Sequence, residues 1–116
     1  MNSARFFAAQ LLLALAGCAS DPAPHEQLRL TEQALEQARA VAAGEDQGEL
    51  TLAQGKFEQA EAALAVGRHR EARMLAEQAE LDARLAEEQV LTQKGRKQVA
   101  ELKRQIGALR QQLGEL

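Results

Sequence analysis

Aromatic side chains are nearly missing from this 116-residue chain, which has three phenylalanines and neither tryptophan nor tyrosine. Without aromatic platforms on which bases stack, and with a net charge of −3, nucleic acid is not an expected partner. Cysteine occurs once, at Cys18, so no intrachain disulfide can form. No apolar run reaches the roughly 20 residues that a bilayer-spanning helix needs. Serine occurs only at Ser3 and Ser20, and histidine only at His25 and His69. Nucleophilic catalysis requires a positioned hydroxyl or thiol beside a base, and besides these residues only Thr31, Thr51 and Thr92 carry a hydroxyl. His69 lies between Arg68 and Arg70, whose charges oppose a metal cation, and it has no second His or Cys at helical spacing. There is no glycine-rich phosphate loop. The expectation is a non-enzyme with no catalytic residue, no metal site and no dissociable cofactor.

What is present begins with an amino-terminal layout. Arg5 adds one basic side chain to the amino terminus, and Phe6 to Ala16 form an apolar run of 11 residues interrupted only by Gln10. A basic start, a short apolar segment and small residues after it are the parts of an export signal. Here the small residues lead straight into cysteine, as Leu15-Ala16-Gly17-Cys18. This tetrapeptide resembles the lipobox of bacterial lipoproteins. The resemblance implies that the Cys18 thiol receives diacylglycerol, that the chain is cut before it, and that the new amino terminus is acylated. It also gives a role to a lone thiol that an oxidising compartment would otherwise leave unexplained. Each buried methylene contributes about 0.8 kcal/mol, and two chains hold a protein stably. The expected protein is therefore tethered to a membrane without spanning it. Ala19 follows the cysteine; in the resembled lipoproteins Asp there favours the inner membrane. The implied address is the outer membrane, facing the periplasm.

Removing residues 1–17 from 116 leaves 99, enough for one small domain. These residues are dominated by Ala, Leu, Glu, Gln and Arg, all strong helix formers. The expected class is all-α: a signal helix, then a small antiparallel hairpin or three-helix arrangement with a long, coiled-coil-like C-terminal helix. Residues 18–24 read as a linker containing Pro22 and Pro24, residues 25–90 as an Ala-rich helical domain, and residues 91–116 as a basic helical extension.

The periodicity supports this division. Leu28, Thr31, Leu35, Ala38 and Ala42 recur at alternating steps of three and four, one face of a helix from about Pro24 to Ala43 with Gly44 as its left-handed cap. Asp46 and Glu49 have capping-box spacing ahead of a second stripe, Leu50, Ala53, Phe57, Ala60 and Leu64, which Gly67 ends. The third stripe begins near Arg68 and runs through Ala72, Ala76, Ala79, Ala83, Ala86 and Val90, with Met74, Leu75, Leu81 and Leu85 expected to widen its apolar face. So many alanines predict close helix approach and a thin core.

After Val90 the phase changes. Val99, Leu102, Ile106, Leu109, Leu113 and Leu116 form a new seam, about two and a half heptads long and out of step with the alanine stripe. The helix is expected to continue through Gly95 as a projecting rod; folding back on the bundle or fraying is the alternative. Charge divides at the same place. Residues 18–88 hold 7 basic and 15 acidic residues, whereas residues 89–116 hold 6 basic and 2 acidic. Lys94, Arg96, Lys97, Lys103 and Arg104 form the candidate basic patch, and Val99, Leu102, Ile106, Leu109 and Leu113 the candidate interaction seam.

Two resemblances bear on the helices. From Ala60 through Gly67 and Ala72 to Ala79 the small-residue spacing is similar to one tetratricopeptide unit, without that family's aromatics or closing proline, and only one unit is visible where a solenoid needs about three. The segments LTEQALEQARAVAAG (residues 30–44) and FEQAEAALAVGRHREARMLAEQAELDARLAEE (residues 57–88) resemble small envelope lipoproteins carrying the domain of unknown function 4398. That resemblance implies a lipobox joined to an Ala-rich helical region and no particular activity. The chain is also similar to murein lipoproteins in being helical with a lipobox. It ends Gly114-Glu115-Leu116 where those end in a cross-linking lysine, so that attachment is not expected. The functional expectation is a non-enzymatic structural or adaptor protein working through helix–helix contacts, by self-association or with a protein partner. The alternative is an accessory that binds anionic cell-wall polymer or lipid through the basic helix.

Overall fold

The computed structural model describes residues 21–44 and 48–114, which form three helices: α1 (His25–Val41), α2 (Gly48–Ala65) and α3 (His69–Gly114). The lipobox residues Leu15, Ala16 and Gly17, together with Cys18, Asp46 and Leu116, lie outside the described residues.

Each helix end has a local cause. Pro24 precedes α1 with φ −84°, and its carbonyl accepts from the Leu28 N–H at 3.0 Å. A proline suits this place because its missing N–H would have no helical partner. After α1, Gly44 takes φ +85°. After α2, Gly67 takes φ +76°, its N–H donating to Leu64 O while Arg68 N–H donates to Ala63 O. This paired 5→2 and 6→1 pattern is a Schellman cap, which needs a left-handed residue that costs glycine nothing. The residues shared by the two hydrophobic clusters set α1 and α2 antiparallel, and α2 and α3 antiparallel, leaving α1 and α3 parallel.

All five expected stripe positions on α1 are buried, as are all six on α3. On α2, Leu50, Ala53 and Ala60 are buried, Phe57 and Leu64 are half-buried, and Ala63 is buried as well. Among the described residues, eleven of the fifteen buried apolar ones are alanine. With side chains this short the helix axes can approach closely, and the large buried groups are few: Leu28, Leu35, Leu50 and Val90. Phe57 packs against both hydrophobic clusters and links them.

Polar contacts tie the helices at their edges. The buried Thr31 hydroxyl lies 2.8 Å from Gln27 O and 3.0 Å from Ala76 O on α3. Gln27 Nε2 donates to Glu80 Oε2 at 2.6 Å, and Arg84 donates to Glu80 Oε1. Glu80 therefore holds α1 as well as supporting its own helix through Arg84. Lys56 joins Asp82 at 2.5 Å between α2 and α3, and Gln37 donates to Glu87 at 2.8 Å between α1 and α3.

One expectation is reversed. Met74, Leu81 and Leu85 do not widen the packed face of α3; they are 51%, 66% and 51% exposed. Of the four, only Leu75 packs against the core. The alanine row wins the interior because three helices crossing closely leave room for a methyl group and none for a leucine.

Candidate interaction surface

The 46 residues of α3 run unbroken through Gly95 and Gly107. At about 1.5 Å per residue the helix is about 70 Å long, far longer than α1 or α2, so its distal part passes beyond the bundle. Every residue from 96 to 114 is exposed. The extension projects rather than folding back.

The seam residues keep their apolar surface in solvent: Val99 is 51% exposed, Leu102 57%, Ile106 49%, Leu109 57% and Leu113 70%. A helix turns about 100° per residue, which sets this row about 140° from the buried alanine row. It therefore points away from the side on which α1 and α2 lie. Leu81 and Leu85 continue its heptad register on the outer side, since Leu102 and Val99 follow them by 21 and 14 residues, with the drift of about 20° per heptad that a straight helix shows.

The cations of the extension divide by direction. Lys94 turns back to the bundle, where its Nζ donates to Val41 O at 2.6 Å. That carbonyl lies in the last turn of α1, where helices leave acceptors unsatisfied and favour a positive charge. Arg96 and Lys103, with Arg110 seven residues further on, line one edge of the seam. Lys97 and Arg104 stand further round. Arg104 pairs with Glu101 at 2.7 Å, and its hydrogen bond, followed by that from Gln105, holds the Glu101 carboxyl below the usual range. Arg29 does the same for Glu26 on α1, 2.6 Å away.

The opposite end of α3 meets the amino-terminal linker. His69 Nδ1 lies 2.7 Å from Asp21 O, and Arg73 Nη2 lies 3.4 Å from Pro22 O. A carbonyl can only accept, so the ring nitrogen carries the proton. Sequence reading placed His69 only as a poor metal ligand; its role in fixing the linker has no local signature.

Among the described residues, no group of three or more His, Cys, Asp or Glu side chains is arranged to hold a metal ion, and no helix is long and apolar enough to cross a membrane. An open groove lies beside the start of α2, lined by residues that include Leu50, Leu52, Leu85, Val90 and Arg96.

A family model, described as Domain of unknown function (DUF4398), matches residues 26–102. The chain belongs to this family. It is also similar to the crystal structure of a DUF4398 family protein from Pseudomonas aeruginosa PAO1, with 60% sequence identity and a TM-score of 0.77, covering 81% of this chain and 98% of that one. No curated protein matches the sequence. The matched segment takes in the whole three-helix bundle and stops at Leu102, part-way along the exposed seam.

Proposed function

We propose that this is a non-enzymatic lipoprotein of the cell envelope, tethered through Cys18 to the outer membrane on its periplasmic side, with α3 as a helical contact surface. In this role it is an adaptor or spacer: the bundle sits near the lipid and the rod reaches outward to a partner.

The observation that carries the reading is the polarity of α3. Asp21, three residues after Cys18, is held against His69 at the start of the helix, while the uncovered apolar seam occupies the far end. Three extended residues span at most about 10 Å, so a lipid on Cys18 would hold the bundle close to the bilayer surface. A tether at one end and a sticky seam at the other suit a part that bridges two structures. Nothing in the hydroxyl, thiol and histidine inventory supports a catalytic centre.

The test is metabolic labelling with a lipid precursor in cells making the full-length protein. The unaltered chain should label and lose residues 1–17; Cys18→Ser should do neither. Normal labelling of Cys18→Ser would end the anchoring claim.

A second reading rests on the edge formed by Arg96, Lys103 and Arg110, which suits an anionic cell-wall polymer or lipid. Such binding should weaken steeply from low to moderate salt, whereas a seam-mediated contact should persist in salt and fail when Leu102, Ile106 and Leu109 become polar.

A further inference from the structure

We propose that the rod pairs with the α3 rod of a second copy of this chain, parallel and in register, through the outer apolar row. The pairing stands on the seam and its flanks and does not depend on the lipid anchor.

The seam itself specifies the number of strands. Val99, Ile106 and Leu113 occupy the first position of successive heptads, and Leu102 and Leu109 the fourth. β-branched residues at the first position with leucine at the fourth favour two parallel strands, and Val99 and Ile106, though not Leu113, are β-branched. All five are about half exposed or more in the single chain.

The flanks specify the orientation. One edge of the seam carries Arg96, Lys103 and Arg110, and the other carries Gln98, Gln105 and Gln112. In a parallel pair the two unlike edges meet, so that Gln98 faces the partner's Lys103 and Gln105 faces the partner's Arg110. In an antiparallel pair like edges meet, and cations face cations along one whole side. Like charges brought together at an interface are a repulsive element that rejects the wrong arrangement. The glutamine edge accepts hydrogen bonds from the cations and adds no repulsion.

The same register continues back over the bundle. Leu81 and Leu85 lie on it and are exposed, so the pairing has a second apolar contact on the outer face of α3. Between the two contacts the seam positions hold Glu88, Thr92 and Gly95, and an added Cβ at Gly95 meets nothing within 4 Å. Parallel pairing also sets the two His69 ends side by side. If the anchoring reading holds, both tethers then reach one membrane and the joined rods point away from it together.

The experiment uses the full-length chain carrying Cys18→Ser, which removes the native thiol, and Val99→Cys, which places one thiol near the start of the seam. Under mild oxidation a covalent dimer is expected, and Leu113→Cys in the same background should behave alike. Antiparallel rods centred on Ile106 would hold the two introduced thiols about 20 Å apart at either position, so failure of both to cross-link overturns the proposal. A second variant reads orientation without cross-linking. Gln98→Glu with Gln105→Glu places anions opposite cations in the parallel pair, and sedimentation should show a dimer about tenfold tighter at low salt. In the antiparallel pair the same change sets anion against anion, and a weaker dimer overturns the proposal. A monomer at all concentrations overturns it as well. Lipid labelling is read separately, so failure of the anchor and failure of the pairing give different results.

Discussion

The Thr31 hydroxyl of α1 lies 3.0 Å from the main-chain carbonyl oxygen of Ala76 on α3, in the interior of the bundle. A side chain that reaches the backbone of a neighbouring helix shows how closely the two helices pass. Only a residue as small as alanine at position 76 leaves the space. This contact also explains how a polar residue occupies an apolar stripe, since the single proton of the buried hydroxyl has two carbonyls within reach, Gln27 O and Ala76 O.

Enlarging the contact should therefore harm the fold more than emptying it. Ala76→Leu forces a branched side chain between α1 and α3 and should destabilise by about 1–3 kcal/mol. Thr31→Val keeps the volume and loses the hydrogen bond, for a loss of about 1 kcal/mol. Urea denaturation followed by circular dichroism gives both values. An Ala76→Leu protein as stable as the unaltered one would refute the close approach.

The thin core concentrates stability in a few side chains. Leu35 is the largest fully buried residue, and Leu35→Ala should cost about 2–5 kcal/mol. Glutamine substitutions on the solvent side, such as at Glu32 or Glu36, should stay within about 0.5 kcal/mol. The measurement is the midpoint of thermal unfolding at matched protein concentration.

Glycines divide into two groups with opposite expected responses. Gly55 is helical and an added Cβ meets nothing within 4 Å, so Gly55→Ala should stabilise by about 0.5–1 kcal/mol. Gly67 holds φ +76° in the α2–α3 turn, where Gly67→Ala should cost about 1–2 kcal/mol. Denaturation of the two single variants side by side checks the sign of each.

Acid should loosen two helix-surface pairs. Arg29 lowers the folded pKa of Glu26, and Arg104 lowers that of Glu101, from the ordinary 4.5. A lowered folded value means that the contribution is fully present above pH 4.5 and is lost as pH falls through the lower folded values. The helical circular-dichroism signal should decline in that window, and Glu101→Gln should remove part of the decline. Both carboxylates are fully exposed, so the change should be small and should shrink in 1 M salt.

Much of the architecture was legible from spacing. The steps of three and four marked every buried position of α3 and all of those on α1 except Ala34, because a helix that packs on one side must repeat near 3.6 residues. Gly44 and Gly67 marked the turns, because left-handed backbone favours a residue without a Cβ. The seam and its change of phase were legible for the same reason. Less legible were contacts between residues distant in the chain: His69 with Asp21, Lys94 with Val41, and Thr31 with Ala76. Their partners lie 45 to 53 positions away, and no local pattern announces them.

By itself the sequence determined that the chain is helical, where its helices turn, and that α3 carries two apolar rows out of phase with each other. Only the tertiary structure decided that Met74, Leu81 and Leu85 do not join the alanine row inside. Hydrophobicity alone favours the larger Leu81 and Leu85; close packing of three helices favours Ala72, Ala76, Ala79 and Ala83. Interior space is fixed by how near the backbones come, and that distance exists only once all three helices are assembled.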